Sequence, residues 1–339
     1  MRCFMIFLAA SLMVLPGCRN DSGNGNGTAK LDKTSVRFPI PAVRAPFGVW
    51  FAADQNGYFK EEGLEVTFGY GGKTTNPVSM VTAGTDDFGI LGGPDTVLVA
   101  IGKGAPLVIV AVVHKDSNLP CLITRKESGI TKIEQLDGKS VGMYSGHIST
   151  DVLRNLFRKT GVNVKEIDVG YDYSQFIAGK VDAQWAFRTA AAAELPEKGV
   201  EVNVINTADS GIVTHGYTIF TTKEMVEQHP EKVRKFLVAT FRGVVFMAEN
   251  PEKTADLVVA QDKTGNIKKD QVLRRIAQYN EVSPRFNPLP PGYFNKEMLQ
   301  STYDRLVEEN VIGEPYEIEK AYTTKFLDEI HAEAQAISK

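Results

Sequence analysis

Between Ser35 and Phe220 the chain repeats one pattern, a short apolar run followed by a stretch of helical periodicity. This alternation limits the fold more than any other feature. Parallel strands need long crossover connections and a sheet covered on both faces. "SVRFPI" reads as a strand closed by Pro39 and Pro41, and "FGVWFAADQ" as a helix with Gly57 as its left-handed stop. Leu64, Val66, Phe68 and Tyr70 alternate with the period of a strand. In "TNPVSMVTAG", Asn76 suits an N-cap, Pro77 the first helical position and Gly84 the stop. "FGIL", "DTVLVAIGKG" and "PLVIVAVV" continue as strand, helix and strand.

A second run of the same kind starts near Leu119, with strands expected at "CLITR", "KSVGMY", "VKEIDV", "DAQWAF", "EVNVI" and "HGYTIF". After Thr222 the texture turns helical. Val233, Phe236, Leu237, Phe241, Val244 and Ala248 form one stripe, and the first α/β unit is the surface it should cover. Further helices are expected at "DQVLRRIAQYN" and "KEMLQSTYDRLVEEN", joined through the proline-rich "SPRFNPLPPGY".

The N-terminus carries Arg2, the uncharged apolar run Phe4 to Leu15, and then "PGC". A charged start and a short apolar segment describe a secretory signal, too short to span a bilayer. Cys18 ends it, and "RNDSGNGNGTAK" behind it is small, polar and glycine-rich. "LPGC" resembles a bacterial lipobox at Leu15, Gly17 and Cys18, with Pro16 departing from the usual residue. The expected organisation is a signal peptide over 1–17 and a lipidated Cys18 opening a tether over 18–33. Acyl chains would hold the protein to a membrane, and the tether would reach roughly 20 Å.

A net charge of -3 leaves no nucleic-acid footprint. Of three cysteines, Cys3 lies in the signal and Cys18 takes the lipid, so Cys121 has no partner for an internal disulfide. It sits in the strand-like "PCLITR" and reads as a small buried hydrophobe rather than a nucleophile. The five histidines show neither HxxH nor HExxH spacing, and there is no GxxxxGK[ST] or GxSxG stretch. No metal and no cofactor are expected.

Five stretches together resemble the periplasmic solute-binding proteins of ABC importers, in the branch of nitrate, taurine, alkanesulfonate and thiamine-pyrimidine receptors. They are "GYFKEEGLEV", "VTAGTDDFGILGGPDTVLVA", "ITKIEQLDGKSVGMYSG", "IAGKVDAQWAF" and "FTTKEMVEQHPEKVRKFLVA", in this order. The resemblance implies a two-lobed α/β clamp of type II, with parallel-rich sheets flanked by helices. Lobe I would comprise 34–118 and 222–339, and lobe II 119–221, with hinge crossings near Asn118 and Thr221. Ligand would bind between the lobes and close them.

Independently, open parallel sheets place ligands at the carboxyl ends of strands and at helix N-termini. In lobe I that selects Arg44 and Phe47 in "PAVRAPF", Gly71 and Gly72 in "YGGKTTN", and Gly92, Gly93 and Thr96 in "GGPDT". Arg44 is either an anion clamp or a solvated loop arginine. Lys73 faces solvent, and Asp95 reads as the N-cap of the next helix. In lobe II, Ser145, Gly146, His147, Ser149 and Thr150 in "YSGHIST" form a candidate cradle for an anion or carbonyl. Trp185 in "QWAFRT" either stacks on a planar ligand or belongs to the core, whereas Arg188 at the strand end is harder to explain as core. Tyr217, near the hinge, completes the set.

The function expected is non-enzymatic. A membrane-tethered monomer would sit in the cell envelope, in the periplasm or on the outer face of the cytoplasmic membrane. It would deliver a small anionic or aromatic organic solute, such as a sulfonate, taurine, nitrate or a carboxylate, to the permease and ATPase of an ABC importer. A thiamine-pyrimidine or riboflavin-like heterocycle is the alternative ligand. Two other classes stand beside this reading: a receptor for a sensor kinase, and a pyrimidine-precursor synthase. The eukaryotic synthases of this fold use a cysteine-rich motif that this chain lacks.

Overall fold

The structure, a computed structural model, describes residues 30–72, 74–114, 120–144, 148–170, 172–210, 215–282 and 291–337. Residues 31–339 form one compact unit. Among the described residues it holds ten strands: β1 (Asp32–Phe38), β2 (Leu64–Tyr70), β3 (Phe88–Leu91), β4 (Leu107–His114), β5 (Pro120–Arg125), β6 (Ser140–Met143), β7 (Lys165–Asp168), β8 (Ala183–Phe187), β9 (Val202–Asn206) and β10 (Gly216–Thr222). They make two five-stranded sheets, ordered β2-β1-β3-β10-β4 and β7-β6-β8-β5-β9. The two orders share one plan. A first strand lies between the second and third, and a strand entering from outside is inserted beside the third.

The inserted strands are the antiparallel ones. β10 runs against both β3 and β4, and β5 against both β8 and β9. β1 pairs parallel with β2 and β3, and β6 with β7 and β8. The sheets are therefore mixed, because the chain enters the second unit through β5 and returns to the first through β10.

That return corrects the boundary read from sequence. "HGYTIF" was assigned to the second lobe, with the crossing near Thr221, yet β10 lies inside the first sheet. The crossing thus falls between Asn206 and Gly216, and the expected crossing near Asn118 lies outside the described residues. The physical reason is a cross-strand fit. Phe220 pairs with Gly89 of β3, and a Cβ on Gly89 would meet the Phe220 ring at 2.2 Å. The missing side chain of Gly89 makes the space that Phe220 fills.

Helices cover both sheets. In the first part of the chain they are α1 (Gly48–Gln55), α2 (Tyr58–Glu61), α3 (Pro77–Thr82) and α4 (Asp95–Gly102). The second sheet carries α5 (Ile148–Thr160), α6 (Ser174–Ile177) and α7 (Arg188–Glu194). The C-terminal third supplies α8 (Lys223–Gln228), α9 (Pro230–Glu249), α10 (Pro251–Ala260), α11 (Lys269–Val282), α12 (Lys296–Glu308) and α13 (Lys325–Ile337). Asn76 caps α3, its side chain accepting from the Val78 N–H at 2.8 Å, while Gly57 and Gly84 take φ of 78° and 68°. Asp95 does not cap α4. Pro94 holds that position, and Asp95 is the first helical residue, its carboxylate turned to Arg305.

The α9 stripe covers the first sheet as its periodicity demands. Val233, Phe236, Leu237 and Phe241 are buried, and Phe236 stacks on Phe88 with ring centroids 4.0 Å apart. Gly243 lets α9 approach α1, since a Cβ there would meet the Val49 carbonyl oxygen at 2.1 Å. The second sheet has its own core, built on Leu122, Leu153, Phe176 and Trp185. Among the described residues no helix is long and apolar enough to cross a membrane.

Candidate functional site

The two sheets meet where strand ends of both converge. Gly92, just after β3, faces Phe187, the last residue of β8, and a Cβ on Gly92 would lie 3.2 Å from that ring. Phe187 is half-buried and packs against the first core, although its strand belongs to the second sheet. Strand alternation puts it on the same face as Trp185, and the two rings lie 6.2 Å apart. The sequence reading had missed Phe187, although "WAF" carries the alternation that aims it.

Around this contact the residues read from sequence divide. Arg44 precedes the short turn Ala45–Phe47 in extended conformation, is half-buried, and donates from Nη1 to the carbonyl of Val43 at 3.0 Å. No carboxylate pairs with it among the described residues. Arg188 opens α7, also half-buried, with no ion pair among the described residues. Its charge bears on the Cys121 thiol. Gly92, Gly93 and Thr96 are half-buried at the junction. Gly71 is buried for a packing reason, since a Cβ there would strike the Pro39 backbone at 2.5 Å, and Gly72 lies against Thr75.

Two aromatic candidates are enclosed. Phe47 has no exposed surface and stacks on Phe38 at 4.2 Å, which makes it part of the first core. Trp185 is 4 % exposed in the second core, and its indole N–H has no hydrogen-bond partner among the described residues. Ser145, Gly146, His147, Lys73 and the Ser149 side chain lie outside the described residues. Thr150, next in the cradle, is buried and donates to the carbonyl of Tyr144 at 2.7 Å. Cys121 is fully buried, and burial pushes its thiol up to about 12 against the opposing pull of Arg188. A thiol so protonated is no nucleophile at neutral pH.

Tyr217 departs from its surroundings. It takes φ 37°, a left-handed conformation that costs a non-glycine residue about 1–3 kcal/mol. The arrangement turns its ring onto Phe47 at 6.3 Å and onto Tyr279 of α11 at 6.2 Å. Burial raises the Tyr217 hydroxyl well above its ordinary pKa. The neighbouring Tyr279 hydroxyl acts in the same direction and the Arg44 charge against it. Tyr279 brings α11 into the site, an element the sequence reading had left as a plain helix.

A separate groove of about 700 Å³ opens between α5 and α12, lined by Lys159, Lys296, Asp304, Arg305, Glu308 and Glu309 among others. No residue selected from the sequence borders it. Among the described residues, no three His, Cys, Asp or Glu side chains are grouped to hold a metal ion.

Two sheets of one plan, linked by two crossings and meeting at their strand ends, define the periplasmic-binding-protein fold. The chain belongs to the NMT1/THI5 like family, whose model matches residues 46–254. It is 23% identical over 270 residues to a formylaminopyrimidine-binding protein of Halalkalibacterium halodurans, covering 77% of this chain and 80% of that one. It is 26% identical to a 4-amino-5-hydroxymethyl-2-methylpyrimidine phosphate synthase of Legionella pneumophila, covering 81% and 86%. The periplasmic aliphatic sulphonate binding protein SsuA of Escherichia coli superposes with a TM-score of 0.65 at 18% identity, covering 86% of this chain and 91% of that structure.

Proposed function

We propose that this protein is a solute receptor that captures a small organic ligand between its two sheets and delivers it to an ABC permease. The observation that carries this reading is the junction at Gly92 and Phe187, where strand ends of both sheets converge, with Arg188 next in the chain and Tyr217, whose N–H donates to the Gly92 carbonyl, lying within reach of the Arg44 charge. A ligand that touches both units favours the closed arrangement by its differential affinity. Relatives named as binding proteins support a receptor over an enzyme. The buried, protonated Cys121 adds to this, because it offers no nucleophile.

Native mass spectrometry of the purified protein, paired with small-angle scattering before and after the solute is stripped, tests the reading. The expected result is a bound small molecule whose removal enlarges the radius of gyration. A tightly bound solute whose removal leaves the scattering curve unchanged would overturn the clamp.

The same reading places the receptor on the outer side of a membrane, held by lipid on Cys18, with 18–33 as its tether. Cys18→Ala is expected to move the protein from the membrane fraction to the soluble fraction, or to leave the precursor unprocessed. A variant that fractionates and migrates like wild type contradicts the anchor.

A further inference from the structure

Helix α11 belongs to the first unit and touches the second. Val272, Ile276 and Tyr279 are buried in the first core, while the neighbouring stripe of Gln271, Arg274 and Arg275 meets α7 and the turn behind it. α7 is seated in the second core by Ala191 and Leu195. Glu194, its last residue, pairs with Arg275. Glu197, in the turn Pro196–Lys198, pairs with Arg274 and accepts from the Gln271 side-chain amide at 2.5 Å. Residues three and four apart on α11 share one face, and that face is matched by two acids three residues apart.

The contact lies beside the candidate site. α11 also packs on the Ala45–Phe47 turn headed by Arg44, and α7 is opened by Arg188. The helix therefore reaches from candidate residues of one unit to the helix that carries a candidate of the other.

Its chemistry suits a contact that parts and forms again. Arg274 keeps 42% of its side chain exposed, and Glu194 and Glu197 each keep 26%. Parting two apolar faces leaves surface that water rejects, whereas separated arginine, glutamine and glutamate side chains are hydrated at once. Faces that move against each other are accordingly more polar than permanent ones. Lys269 of the same helix shows the contrast, because it pairs with Glu252 and Asp256 of α10, inside the first unit.

Resting on the solute-receptor reading above, we infer that Gln271, Arg274 and Arg275 of α11 form a latch with Glu194 and Glu197 across the cleft. The latch favours the closed arrangement by itself, before any solute contributes. Solute then supplies only the remaining differential affinity needed to close the units. Because its pairs are partly exposed, the latch weakens as ionic strength rises.

Small-angle scattering of the full chain, stripped of co-purified solute, tests this from about 0.01 M to about 1 M sodium chloride, over which the screening length falls from about 30 Å to about 3 Å. The radius of gyration of wild type is expected to rise with salt. The double variant Glu194→Gln, Glu197→Gln should already be at the open value in low salt and stay there. Read as a two-state mixture, its closed-to-open ratio at low salt should be about tenfold below wild type, from up to about fivefold for each exposed pair. Arg274→Gln should give part of that loss, and serves if the double variant does not fold. Lys269→Gln, which breaks pairs within one unit, should keep the salt response of wild type.

A wild-type curve indifferent to salt, or a salt response that the double variant or Lys269→Gln shares equally with the other proteins tested, overturns the latch. If the protein as purified with its solute is still more compact than the stripped protein, the receptor reading stands without it. If bound solute changes no curve, the clamp fails and the latch with it.

Discussion

Arg305→Met is expected to cost the protein about 3–5 kcal/mol, the usual loss when one partner of a buried ion pair is removed. Arg305 on α12 is 8% exposed and reaches Asp95 at the start of α4 with an Nη2 to Oδ1 distance of 2.5 Å. Its other branch donates to Glu309 at 3.3 Å. Methionine fills much of the same volume, so the loss would come from charge rather than from a cavity. Asp95 and Glu309 would both be left in a poorly solvated place without their guanidinium.

The effect should reach the site. Asp95 follows Gly92, Gly93 and Pro94 directly, so Arg305 braces the loop that meets Phe187. Urea unfolding measures the loss, and adding Asp95→Asn to the variant should recover a good part of it. A loss below about 1 kcal/mol would mean that the pair behaves as an exposed one.

Acid should destabilise the protein through His215 by about 3 kcal/mol. The ring has no exposed surface, and burial holds its pKa at about 4, with the charge of Asp95 opposing. Its Nε2 accepts a hydrogen bond from the Asn295 N–H at 3.0 Å, which requires the neutral ring, and Phe294 lies edge-on at 6.3 Å. Below pH 6.5 the unfolded chain takes up a proton that the folded one refuses. Stability therefore falls as pH drops from about 6.5 to about 4, and His215 adds no slope below that.

The residue closes the second crossing and ties it to the C-terminal segment, so the weakening is placed where the chain re-enters the first sheet. Urea midpoints at pH 7, 5.5 and 4.5 should converge between wild type and His215→Gln as pH falls. Parallel lines across that range would remove the histidine from the acid response.

Local physical chemistry decides the elements of this protein, and so the sequence determines them by itself. The alternation in "LEVTFGY" needs no partner to be read as a strand, and Asn76, Pro77 and Gly84 mark α3 through bonds and dihedrals within their own turn. The α9 stripe announced a surface to be covered, and the ordered stretches from "GYFKEEGLEV" onward pointed to the family. Arg44, Arg188 and the "GGPDT" loop could be selected as candidates because strand ends are where such folds expose side chains and backbone to a ligand. Arg44, Arg188 and the loop's Gly92, Gly93 and Thr96 lie half-buried at or near strand ends in the structure.

Sheet membership and facing surfaces were not legible, because both depend on residues distant in sequence. β10 is assigned by the void at Gly89 in another strand, and Asp95 by an arginine 210 residues further on. Phe47 became core because Phe38 and Tyr217 close over it, and Trp185 because the second sheet's core, with Leu122, Leu153 and Phe176, encloses it. Tyr279 reaches the candidate residue Tyr217 because α11 packs across both the Ala45–Phe47 turn and α7. A helix's periodicity shows that it has faces, and only the packed chain shows what each face meets.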